Sequence, residues 1–84
     1  MFFFQVLRIF FDASGRHHSV EYFENEDASV SLFNAQKRYF NIIAADLANA
    51  NITYNAAYII DSTGQIREWR VFDRRTVNAE EGEE

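Results

Sequence analysis

Cysteine and proline are absent from this sequence, and glycine occurs three times. Without a thiol the chain can build neither a disulfide framework nor a thiolate metal site, which argues against a stapled secreted scaffold and makes a reducing cytoplasm the expected compartment. No uninterrupted apolar run approaches the roughly 20 residues needed to cross a bilayer, so no membrane anchor is expected. The opening MFFFQVLRIFF is apolar, but Gln5 and Arg8 interrupt it, and it has neither a preceding basic region nor a following small-residue cleavage site. It reads as a strand rather than a signal peptide.

What the sequence has in abundance is aromatic residues, 17% of 84, with nine phenylalanines among them. That length suffices for one compact domain, which buries roughly 60% of its unfolded surface. The formal charge of -5 is concentrated at the end, where Glu80, Glu81, Glu83 and Glu84 leave a body near -1. The expected organisation is a single α+β domain over residues 1–76 and an acidic, disordered, solubilising tail over 77–84.

Phe2 to Asp12 is rich in aromatic and β-branched residues, and His18 to Glu24 answers it as a second strand. Between them Asp12-Ala13-Ser14-Gly15 supplies an acceptor for backbone N–H groups and a glycine for positive φ, the chemistry of a turn closed by a glycine bulge. The pattern recurs at Asp61-Ser62-Thr63-Gly64, which joins Tyr54–Ile60 to Ile66–Phe72. The echo between FFDASGRHH and IIDSTGQIR is thus one of hairpin shape, and it carries no chemistry of its own.

From Asp27 to Asn51 no glycine or proline intervenes, and at 100° per residue Phe33, Phe40, Ile43, Ala44 and Leu47 fall on one arc. The pattern predicts an amphipathic helix buried along that arc, with Tyr39 and Leu32 on its shoulder and Ile42 pointing almost opposite. Asp27 or Ser29 is positioned to cap its start, and Asn49 or Asn51 to end it in the left-handed conformation. Asn34, Arg38, Asn41 and Asn49 would line the outside. The order β-β-α-β-β predicts a four-stranded antiparallel sheet with one long helix packed on one face.

The first strand strains that picture, because it is apolar on both sides: Phe3, Leu7, Ile9 and Phe11 on one, Phe2, Phe4, Val6 and Phe10 on the other. One helix covers one side only. A two-fold homodimer that hides the other side is the economical expectation, with Phe2, Phe4, Val6 and Phe10 as its interface, or with the helix on the Phe4 side and Phe3 and Leu7 at the interface.

No constellation points to catalysis, a metal or a cofactor. His17 and His18 are adjacent, so on a strand they face opposite ways and cannot hold one ion together. Asp12 and Ser14 beside them suit turn chemistry better than nucleophilic chemistry, because nothing nearby resembles an oxyanion site. Glu21, Glu24, Glu26 and Asp27 form an acidic patch before the helix, where negative charge complements the positive end of its dipole.

The richest candidate is REWRVFDRR, in which Arg67, Arg70, Arg74 and Arg75 accompany Trp69. Arginine and tryptophan anchor protein interfaces, so the first expectation is a non-enzymatic, self-associating interaction module that binds another protein. A nucleic-acid-binding sheet using the same arginines is the second, opposed by Glu68 and Asp73 within the run and by the near-neutral body. An acidic mimic that blocks a nucleic-acid-binding partner through the tail and the Glu21–Asp27 patch is the third.

Overall fold

The computed structural model of the chain describes residues 2–74, and of Phe2 the backbone alone. Its elements follow the expected order: β1 (Phe2–Asp12), β2 (Gly15–Asn25), α1 (Ala28–Ala48), β3 (Tyr54–Asp61) and β4 (Ile66–Asp73). The strands form one antiparallel sheet in the order β2-β1-β3-β4, with α1 packed across one face. The helix carries the chain from the β2 edge back over the sheet, so that β3 pairs with the free side of β1 and the two hairpins join at the centre.

The two turns share a glycine device but close differently. Gly15 and Gly64 hold φ of +117° and +88°, where a side chain is strained. Asp12 Oδ1 accepts the Ser14 N–H, and Asp61 Oδ1 accepts the N–H groups of Thr63 and Gln65. The first hairpin is tight, with Asp12 opposite Gly15. The second is longer, closed by Asp61 N–H to Gln65 O, and a register shift follows at Ile59/Ile60.

Asp27 caps the helix as expected, its carboxylate accepting the Ser29 N–H at 2.9 Å. The other end departs from expectation: Asn49 ends the helix with φ -94° and ψ 106°, and no residue other than glycine has positive φ among those described. The carbonyls there are satisfied by Arg74, whose guanidinium donates to Leu47 O, Asn49 O and Ile52 O.

The helix phase also differs from the expected one. The buried positions are Ser31, Ala35, Tyr39, Ile42, Ile43 and Asp46, whereas Phe33, Phe40 and Leu47 lie outside. Ile42, expected outside, is 4% exposed. The reason is packing: Ser31 and Ala35 are small enough to bring the first half of the helix close to the sheet, where Phe4 is buried and Phe23 and Leu32 pack against the core. Polar anchors hold that phase, because Ser31 Oγ donates to Phe23 O and Asp46 receives the Arg8 guanidinium. The core beneath the helix is Phe4 and Val6 of β1, Ala57 and Ile59 of β3, and Ala35, Tyr39, Ile42 and Ile43 of α1.

Candidate interaction surface

Strand alternation divides the sheet's side chains between two faces. Phe4 and Val6 lie under the helix, and the register places their cross-strand neighbours Phe23, Glu21, Asp61 and Ile59 on the same side. The opposite, open face therefore carries Phe3, Gln5, Leu7, Ile9 and Phe11 of β1. Flanking them are Val20 and Tyr22 of β2, Tyr54, Ala56, Tyr58 and Ile60 of β3, and Trp69 and Val71 of β4.

The expected dimer interface is corrected in its side. Phe4 and Val6 are core residues that no second copy can reach without displacing the helix. Phe10 shares their side, half-buried between the Arg8 guanidinium, 4.0 Å above its ring, and the His17 ring stacked 4.8 Å away. The side chain of Phe2 lies outside the described residues. The uncovered side is the one carrying Phe3 and Leu7.

The arginine-rich strand is divided by the same alternation. Trp69, opposite Tyr58, belongs to the open face and is 62% exposed; Arg70, opposite Ala57, belongs to the helix side. Arg67 reaches Asp61 Oδ2 at 3.4 Å, and Arg74 caps the helix C-terminus. Arg75 lies outside the described residues, as does the acidic tail. The expected cluster of arginines around Trp69 is thus not assembled on one surface.

The open face is apolar over most of its extent. Tyr22, Ile66 and Trp69 are exposed at its margins, with Val20 and Val71, while Phe3, Leu7, Ile9, Phe11, Tyr54 and Tyr58 are half-buried by one another. Phe3 meets Tyr22 at 6.2 Å and Phe11 meets Tyr54 edge-on at 5.2 Å, so the aromatic rings brace each other across the strands. Ala56 is fully buried although it points to this side, sunk between its cross-strand neighbours Ile9 and Val71. Over the eight-residue length of β3 and β4, four strands abreast span roughly 26 by 19 Å, or about 500 Å² in projection. Side-chain relief raises the accessible area above that figure, toward the upper end of what monomers leave exposed.

A second apolar patch runs along the outside of the helix, where Val30, Phe33, Phe40 and Leu47 follow one another at spacings of three, seven and seven. It is narrower. Lys37 interrupts it, and the exposed Asn34 and Asn41 flank it.

The remaining clusters are occupied by local structure. Ser14 Oγ and Asp12 Oδ1 both contact the same His17 nitrogen, Nε2, at 2.8 and 3.0 Å, and Ser14 Oγ itself donates to Asp12 Oδ1 at 2.6 Å. A nucleophile–base relay needs the carboxylate and the hydroxyl on different ring nitrogens, so the triangle is a turn clasp. These bonds, that from the Ser14 hydroxyl foremost, hold the Asp12 carboxyl below its ordinary range. Asp61 is lowered likewise, first by the Thr63 hydroxyl. Glu21 of the acidic patch forms a bidentate pair with Arg38, which raises the Arg38 guanidinium further. Burial pushes the Tyr39 hydroxyl up, with Glu68 nearby adding to the effect.

His17 and His18 face opposite sides, as alternation requires. Among the described residues no three acidic or histidine side chains converge to hold a metal ion, and no helix is long and apolar enough to cross a membrane. The groove between the start of α1 and the second turn, about 380 Å³, is lined by Phe4, Leu32, Thr63 and the Asp61–Arg67 pair. No known protein family, curated protein or solved structure matches the chain.

Proposed function

We propose that this protein is a non-enzymatic, self-associating protein-interaction module that docks through the open face of its sheet, in a reducing compartment such as the cytoplasm. The observation that carries the reading is the two-sided apolar character of the sheet: one side is closed by α1, and the other presents aromatic and aliphatic side chains from all four strands. Covering such a face releases water from apolar surface, the principal driving force of association. A second copy supplies a surface of the same size and character without any further element.

Several observations support docking over chemistry. The Asp12, Ser14 and His17 side chains are bound to one another in a turn. Trp69 and Tyr22, residue types that anchor interfaces, stand at the margins of the open face. A nucleic-acid-binding surface needs its cations free and on one side, whereas Arg67 pairs with Asp61 and Arg74 is bound to helix carbonyls.

Trp69 is the single tryptophan and reports on the face directly. Its emission is expected to move to shorter wavelength, and its acrylamide quenching to fall, as protein concentration rises through the micromolar range, with little change in 1 M NaCl. A tryptophan that stays water-exposed at every concentration would contradict the reading.

A further inference from the structure

We infer that the two copies are related by a two-fold axis that runs across the strands through the row Val20, Leu7, Tyr58 and Trp69, so that Arg16 of each copy meets Glu24 of the other. This rests on the open face being the docking surface, and it specifies how two copies occupy it. The four residues of that row are in register with one another from the β2 edge to the β4 edge. A two-fold axis along the row lays each strand antiparallel over its own counterpart and puts both helices on the outside of a two-sheet sandwich.

Charge is the first argument. The open face of β2, which carries His18, Val20 and Tyr22, is bounded by Arg16 at one end and Glu24 at the other, each four residues from Val20 and both exposed. Neither makes an ion pair within its own chain among the described residues. Rotation about an axis at Val20 superposes each on its opposite in sign, twice over. A two-fold axis along the strands instead lays β2 over the partner's β4, which brings Arg16 to the level of Asp73 but sets Glu24 over the second turn, away from Arg16. Unlike charges at matched distances from a symmetry axis are self-complementary, and the axis across the strands matches both ends of β2 at once.

Shape is the second. Ala56 and Ile60 lie two residues either side of Tyr58, so the rotation places the larger side chain of one copy over the pit at the partner's Ala56, again twice. Phe3 and Phe11 lie four residues either side of Leu7, which brings phenylalanine to phenylalanine at both ends of β1. Large against small is what close packing between two sheets requires. Area is the third. A projected face of about 500 Å² before relief is counted is of the order of the roughly 800 Å² of accessible surface per partner in a standard specific interface.

The absence of native cysteine makes the geometry directly testable. In the full-length chain, Val20→Cys introduces one thiol on the axis, and a short bismaleimide should join two copies in high yield, because facing sheets lie about 10 Å apart. Arg16→Cys alone should give little product, since two such thiols sit at opposite ends of the interface; mixed with Glu24→Cys it should cross-link. Charge inversion is the independent arm. Arg16→Glu and Glu24→Arg should each weaken the homodimer, by roughly tenfold for two rim pairs turned repulsive, and mixing the two variants should restore wild-type affinity in a heterodimer. A dimer that survives while Val20→Cys fails to link and the mixture shows no recovery would overturn the axis and leave the docking face standing. A chain that remains monomeric at all concentrations would remove the docking reading, and the axis with it.

Discussion

The Arg8 guanidinium grips the Asp46 carboxylate, its Nε donating to Oδ2 at 2.9 Å, and so ties the middle of β1 to the last turn of α1. Asp46 is 3% exposed, and the buried Asn55 amide donates to the same oxygen. Removing the carboxylate strands a partly buried cation and a buried amide together. Asp46→Ala is therefore expected to cost about 3 kcal/mol, read from the urea midpoint at unchanged slope. A loss no larger than that of an exposed pair, under about 1 kcal/mol, would show that the clasp does not hold the helix in place.

Helix phase gives the second prediction. Ile42 and Tyr39 are buried against the sheet while Phe40 and Leu47 are not. Ile42→Ala and Tyr39→Ala should each cost about 2–5 kcal/mol through lost burial and the cavity left behind. Phe40→Ala and Leu47→Ala should cost well under half of that. Equal shifts in the thermal midpoint across the two pairs would contradict the observed phase.

The turn glycines give the third. A Cβ added at Gly15 or Gly64 would meet no atom within 4 Å, so the main penalty of a substitution is backbone strain at positive φ. Gly64→Val should cost roughly 1–2 kcal/mol, and Gly64→Asn distinctly less, because asparagine tolerates that region. Equal effects of Val and Asn in chemical denaturation would argue that the turn relaxes to negative φ.

Acid titration gives the fourth. Asp12, Asp27 and Asp61 are each held below their ordinary value of 3.8 by hydrogen bonds from hydroxyls and backbone N–H groups that follow them in the chain. A carboxyl lowered in the folded state contributes stability that is present above its unfolded value and is lost as pH falls through the folded one. Stability should thus hold from neutrality down to about pH 5 and decline below about pH 4. Asp61→Asn should make that decline shallower in urea titrations at successive pH values. An unchanged slope would mean that the Thr63 and Arg67 contacts do not favour the ionised form.

The sheet, the turns and the start of the helix were legible in the sequence because they depend on local chemistry: aromatic and β-branched runs, an Asp–Gly pair at each turn, and Asp27 before a stretch free of glycine and proline. Helix orientation was not. Apolar periodicity selects the stripe of Phe33, Phe40 and Leu47, yet the inner face is built from Ser31 and Ala35, which allow close approach, and from Asp46, which is buried because Arg8 meets it. The partner of Asp46 lies on another element, and spacing within the helix carries no sign of it. The two-sided character of β1 was readable, but which side the helix takes was not, since Phe4 and Phe3 are chemically alike. The arginine cluster dissolved for a similar reason: Arg74 is claimed by carbonyls of the helix end, a contact made only in the folded chain.

The most direct measurement of the central claim is sedimentation equilibrium of the wild-type chain beside Leu7→Asp and Phe40→Asp. Leu7 lies at the centre of the open face, and Phe40 on the outer stripe of the helix. The wild type and Phe40→Asp should sediment at about twice the mass of one chain in the micromolar range, unchanged by 1 M NaCl, while Leu7→Asp, still folded by circular dichroism, should sediment as a single chain. A wild-type monomer throughout that range, or a dimer that Phe40→Asp splits and Leu7→Asp leaves intact, would contradict the assignment of the open sheet face as the docking surface.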